Sequence, residues 1–152
     1  MGNPAVGPGR SPSVGSGRAR EQNRHVLVAA GLTFLASLAI NQVVLLFVHR
    51  LRPYELGLTH LLVSPSSDAS FPSDHATAAF AIAGAFLAHG ALRRGGAFAV
   101  AAVLVSLTRV YVGTHYLSDV LGGAMVGLCV AYIIRAAYKS GTKLDRLVTS
   151  IF

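Results

Sequence analysis

Cysteine occurs once among the 152 residues, at Cys129, which excludes an internal disulfide. Its apolar surroundings make it a small core hydrophobe rather than a reactive or metal-binding thiol. Charge is also scarce. Only 12% of residues are Asp, Glu, Lys or Arg, about half the roughly 25% of an ordinary soluble domain, and that shortfall excludes one. Acidic residues number six against thirteen basic ones, for a net charge of +7. The basic residues form no stripe interleaved with aromatics, so nucleic acid is excluded as a partner. Hydrophobic residues instead make up 53% of the chain, with a mean hydropathy of +0.56. The composition is that of an integral membrane protein.

Three regions follow from the order of residues. Residues 1–24, rich in Gly, Pro, Ser and Arg, have little to bury and read as a disordered basic tail. Residues 25–138 read as an all-α membrane domain, a helical bundle with about four transmembrane helices. The apolar runs are Val26 to Val48, Ala76 to Leu92, Ala97 to about Val112 and Leu117 to Ile134, near the ~20 residues that cross a bilayer. Asn41 and Gln42 interrupt the first run and are expected to face other helices, since lipid would disfavour them. Arg93 to Gly96 is expected to form a tight basic turn, and Gly123 with Gly127 has the spacing of a close helix contact. Residues 139–152 read as a basic cytoplasmic tail at the membrane surface.

Alternating the four runs across a membrane sorts the charge. Ten of the thirteen basic residues fall with the chain start, the Arg93–Arg94 turn and the C-terminal tail. By the positive-inside rule that side is cytoplasmic. Arg50, Arg52 and Arg109 fall on the other, outward side. Three polar stretches meet there: His49 to Pro53, Phe71 to His75, and Thr108 to Asp119. His115 and Asp119 are four apart, so a helix beginning near His115 would put them within reach, the carboxylate orienting the imidazole. Arg109 offers a planar fork suited to phosphate oxygens. Taken singly, each residue also has an ordinary reading. Ser73 suits a helix N-cap, Asp74 a first-turn partner of the helix dipole, Arg52 a snorkelling helix end, and His75 an interfacial histidine. His25, His49, His60 and His89 have no matching partners and read as interfacial or packing residues.

Together the stretches resemble the type 2 phosphatidic acid phosphatase family, membrane lipid phosphatases related in fold to vanadium-dependent haloperoxidases. Arg52–Pro53 matches the end of that family's first motif. Pro72, Ser73 and His75 match the second, with Asp74 in place of glycine. Arg109, His115 and Asp119 match the third at its spacing, with Thr108 in place of serine. The wording SSDASFPSDHAT is similar to bacterial undecaprenyl-diphosphatases of the bacitracin-resistance type. The first motif's lysine is absent, its position being Leu45, and Arg50 is a conjectural substitute for its charge. The family has about six membrane helices where four are read here, which leaves room for a partner helix or a second copy.

The resemblance implies a hydrolase acting on undecaprenyl diphosphate. His115 would be the nucleophile, Asp119 its orienting partner and His75 the general acid. Arg52, Ser73 and Arg109, with Asp74 beside them, would bind the substrate phosphate. No cofactor is implied. Asp68, Asp74, His75, His115 and Asp119 could in principle hold a divalent ion, but two arginines in the same pocket suit an anion instead. The alternatives are a phosphatidic acid or phosphatidylglycerophosphate phosphatase, and a membrane protein that binds lipid phosphate without turning it over.

Overall fold

The computed structural model describes residues 13–142 together with Asp145, Leu147 and Val148. Four helices follow in order: α1 (Ser13–Leu45), α2 (Asp74–Ala88), α3 (Leu92–Tyr111) and α4 (Leu117–Ala137). The described residues contain no strand, in keeping with the all-α expectation. α1, α3 and α4 are long and apolar enough to cross a membrane. α2 has 15 residues, which at 1.5 Å per residue is about 22 Å. Three spans and one short apolar helix therefore stand where four spans were expected. α2 can be short because it is the central helix. It packs against α1, α3 and α4, and Ala76, Ala81, Ala83 and Ala85 along it are wholly buried.

Two boundaries differ from expectation. Residues 13–24, assigned to a disordered tail, form the first turns of α1. Arg18, Ala19, Arg20, Glu21 and Gln22 are good helix formers, and extending an existing helix avoids a second costly nucleation. Arg94 ties this part of α1 to α3 by donating to Asn23 at 3.0 Å. Residues 1–12 and most of the expected C-terminal tail lie outside the described residues. The α2–α3 turn is at Gly90, not at Arg93 to Gly96, which fall inside α3. Gly90 has φ +76°, the left-handed conformation that glycine supplies after a helix C-terminus.

The bundle is small and polar inside, apolar outside. Ala29, Thr33, Ser37 and Asn41 lie four residues apart along one face of α1 and are fully buried. Leu35, Val43, Val100, Leu104, Leu121 and Ile133 point outward. Such an arrangement suits lipid, where helix association comes from close packing and interhelical hydrogen bonds rather than from expelling water. The closest approach is between α2 and α4. A Cβ at Gly123 would sit 2.6 Å from the Ser73 carbonyl oxygen, and one at Gly127 2.6 Å from that of Thr77. The Gly123–Gly127 spacing thus marks a backbone contact. The chain is a multi-pass helical membrane protein.

Candidate active site

The N-termini of α2 and α4 and the C-termini of α1 and α3 lie at one end of the bundle, and a cavity of about 250 Å³ opens there. Arg52, Asp74, His75, Arg109 and His115 line it, with Leu45, Asp68 and Pro72. All three polar stretches therefore contribute to one cavity. The Phe71–Pro72 peptide within the second stretch is cis.

His115 precedes α4 by two residues and is 6% exposed. Its Nδ1 lies 2.8 Å from the carbonyl oxygen of Ser70. A carbonyl only accepts, so Nδ1 is a donor in this contact. Nε2 faces Arg52, whose Nη1 is 3.5 Å away. Sequence reasoning assigned the orienting role to Asp119, but its Oδ2 is 3.7 Å from Nδ1, beyond a hydrogen bond. The cause is local. α4 starts at Leu117 rather than near His115, and Asp119 Oδ2 accepts the Tyr116 N–H at 2.8 Å, capping that helix. Asp119 is fully buried and also accepts from the Ser70 hydroxyl and, at 2.7 Å, from Arg50 Nη1. Ser70 thus joins the two, its carbonyl on His115 and its hydroxyl on Asp119.

Arg52 is 4% exposed and fixed along its length. Its Nε donates to the Asp68 carbonyl at 3.0 Å and its Nη1 to that of Thr114 at 3.2 Å. Asp68 Oδ1 lies 3.4 Å from Nη2. The Ser66 hydroxyl bonded to Asp68, with the Arg52 charge adding to it, holds that carboxyl below the usual carboxylate range. Arg109 presents a buried Nε with no hydrogen-bond partner among the described residues. A guanidinium with an unmatched donor at a cavity wall is suited to an anion. His75, one residue into α2, is the exposed imidazole of the cavity.

For three residues with assigned or conjectured roles the geometry is as follows. Ser73 is buried at the start of α2 but is not part of the cavity wall. Its hydroxyl has no partner among the described residues, and it makes no side-chain cap. Its backbone N–H donates instead to the Asp119 carbonyl at 3.1 Å. Asp74 borders the cavity with its carboxylate held by Asn41 Nδ2 at 2.8 Å and Gln42 Nε2 at 3.4 Å, so it ties α2 to α1. As a negative group it would repel phosphate. Arg50, conjectured as a substitute for the missing lysine, turns from the cavity to Asp119 and Ser118 and stacks on the Tyr116 ring, 3.9 Å from its centroid. Ser70 and Thr114 were missed, because their roles run largely through backbone carbonyls that residue type does not reveal. The acidic groups are bound by separate partners, and among the described residues no group of three or more His, Cys, Asp or Glu could hold a metal ion.

Two basic donors, two imidazoles and a helix-capping carboxylate at this spacing agree with a match of residues 26–142 to the PAP2 superfamily. The chain belongs to that superfamily. It is 36% identical over 113 residues to undecaprenyl-diphosphatase BcrC of Bacillus subtilis, covering 74% of this chain and 58% of BcrC. It is 31% identical over 114 residues to phosphatidylglycerophosphatase B of the same organism, covering 68% of this chain and 54% of that relative. The chain thus spans little more than half the length of either. The crystal structure of a transmembrane PAP2 type phosphatidylglycerolphosphate phosphatase from Bacillus subtilis superposes with a TM-score of 0.58 at 23% identity. The superposition covers 88% of this chain and 81% of that one, which shows a shared fold.

Proposed function

We propose that this PAP2 superfamily member is a lipid phosphatase that hydrolyses undecaprenyl diphosphate to undecaprenyl phosphate and inorganic phosphate. The observation that carries the reading is the placement of the His115 ring. Ser70 holds the Nδ1 proton, and the free Nε2 faces Arg52 in a cavity also lined by His75 and Arg109. Nε2 attacks the terminal phosphorus and forms a P–N bond, while the P–O bond to the lipid monophosphate breaks and His75 protonates the departing oxygen. Water then gives its proton to His75 and attacks the phosphohistidine. The P–N bond breaks, and phosphate leaves. Arg52 and Arg109 hold the phosphoryl oxygens throughout, where negative charge is densest. Asp119, fixed by Arg50 and Ser70, stabilises the imidazolium from 3.7 Å. Asp74 keeps the α1–α2 tie and Ser73 the α2–α4 backbone contact, both outside the chemistry.

The cavity faces outward. His25, His89 and Tyr138 meet at the opposite end of the bundle, where Arg24, Arg93, Arg94, Arg135 and Lys139 also fall; by the positive-inside rule that end is cytoplasmic. A polyprenyl carrier left diphosphorylated on the outer leaflet is a substrate for that orientation. BcrC supports the diphosphate, whereas the 31% identity to phosphatidylglycerophosphatase B supports a glycerophospholipid monophosphate in the same cavity.

Purified protein given undecaprenyl diphosphate, phosphatidic acid and phosphatidylglycerophosphate should release phosphate fastest from the first. Acid quenching during turnover of a substrate radiolabelled at its terminal phosphate should trap acid-labile label on the protein, absent in His115→Ala. Turnover should survive chelation of divalent ions. Lipid binding without phosphate release, or full activity in His115→Ala, would overturn the proposal.

A further inference from the structure

The loop from Arg52 to Ser66 is tied down at its ends and along its length. The Tyr54 hydroxyl donates to the Ser66 carbonyl at 2.9 Å and accepts the Ser66 N–H at 3.1 Å. Glu55 accepts the Arg52 N–H at 2.6 Å. Further along, Thr59 Oγ1 donates to the Gly113 carbonyl at 3.0 Å and the Leu62 N–H to that of Val112 at 3.3 Å. Gly113, at φ +81°, receives the loop so closely that a Cβ there would lie 2.8 Å from the His60 carbonyl oxygen.

This fixed loop holds its largest apolar side chains outward. Leu56, Leu58, Leu62 and Val63 are 54%, 65%, 62% and 43% exposed. Burying such side chains is favourable, so in water a pliable loop would fold them in. The cross-ties prevent that, so the side chains need a cover from outside. Val112 and Gly113, to which the loop is bonded, directly follow α3, a membrane-length helix whose last turns expose Leu107 and Tyr111. The loop therefore prolongs a lipid-facing surface. Its other end is cavity wall, because Val63, Ser64, Pro65 and Ser66 line the site.

We propose that the loop of residues 54–66 is a membrane-docking element. Leu56, Leu58 and Leu62 enter the acyl region of the leaflet at the cavity end, while Glu55, Thr59 and His60 stay with the headgroups. Docking holds the cavity mouth at headgroup depth, where the phosphate of a lipid lies. It goes beyond the hydrolysis proposed above and does not depend on the chemistry of His115.

The test uses the full chain with Cys129→Ala and one new cysteine, Leu58→Cys, Leu62→Cys or Glu55→Cys. Each is labelled with an environment-sensitive fluorophore in vesicles of phosphatidylethanolamine and phosphatidylglycerol. Labels at 58 and 62 should be quenched by nitroxide carried on lipid acyl chains and shielded from aqueous iodide, with the reverse at 55. Iodide access at 58 and 62 equal to that at 55 would overturn docking. So would shielding that grows with protein density and not with lipid, because it would mean a second copy covers the loop. As a functional arm, Leu58→Asp with Leu62→Asp should raise KM for vesicle-borne long-chain diphosphate several-fold and leave a short water-soluble phosphate ester unaffected. Equal loss on both substrates would count against docking. Absence of wild-type turnover on either would refute the hydrolase reading, while the quenching result still judges the loop.

Discussion

Each end of the bundle holds a histidine beside an aspartate, and the two pairs are built to opposite effect. At the cavity end, Asp119 Oδ2 stops 3.7 Å short of His115 Nδ1, which is taken by the Ser70 carbonyl. At the far end, Asp145 Oδ1 lies 2.7 Å from His25 Nδ1 and accepts the Tyr138 hydroxyl at 2.6 Å. The His25 ring is stacked on Tyr138, with centroids 4.6 Å apart, and meets His89 edge-on. The shorter pair fastens the residues after α4 to α1. The longer pair leaves the other imidazole nitrogen to face Arg52 beside the cavity. Proximity of histidine to aspartate therefore does not by itself mark a reactive site.

The sharpest way to break this contrast is to remove each histidine in turn. His115→Ala should lower kcat for lipid diphosphate by about 10³-fold or more, whereas His25→Ala should leave kcat within a few-fold and lower thermal stability in detergent. Equal kinetic losses would erase the distinction. Next in size is Arg109→Lys. Loss of the fork should cost about 10²-fold in kcat/KM, measured by phosphate release, because an ammonium cannot offer the same donors from that wall. Gly127→Ala places a Cβ against the Thr77 carbonyl oxygen and the Ala81 nitrogen at 2.6 and 2.7 Å. That overpacking should cost about 1–3 kcal/mol, read as a lower thermal midpoint.

The smallest effect concerns acid. Burial alone would raise the Asp145 pKa, but hydrogen bonds from Tyr138, His25 and the Gly141 N–H outweigh it and hold the carboxyl below its ordinary 3.8. A carboxyl lowered by folding stabilises fully above that ordinary value, and the contribution is lost as pH falls through the lower folded one. Asp145→Asn should therefore be less stable near neutrality, by about 1 kcal/mol for a lost hydrogen bond, with a shallower decline in acid. An unchanged acid profile would show that the pair carries no such linkage.

Much of this was legible in the sequence. Hydropathy located the four apolar helices because lipid imposes length and composition directly, and the separation of arginines between the two ends of the bundle followed from alternation alone. The 52, 75, 109 and 115 positions were reachable because their side chains carry distinctive chemistry at fixed spacing. What was not legible ran through backbone. The Ser70 carbonyl on His115 and the start of α4 at Leu117 depend on chain geometry, and no residue type announces them. The α1 start was misjudged for a related reason, since a polar helix growing from a long apolar one needs no amphipathic pattern of its own. His25 looked partnerless because Asp145 lies 120 positions away. Between Arg52 and Ser66 the apolar residues are plain in the sequence, but only the cross-ties show that four of those side chains are kept outside.

The bare contact between α2 and α4 also sets a dimension. His75 sits in the first turn of one helix and His115 just ahead of the other, with Gly123 and Gly127 at the crossing between them. The interaxial gap there acts as a caliper for the span between the two imidazoles. Widening it by the width of one methyl group would pull the two imidazoles apart before any residue of the cavity had changed.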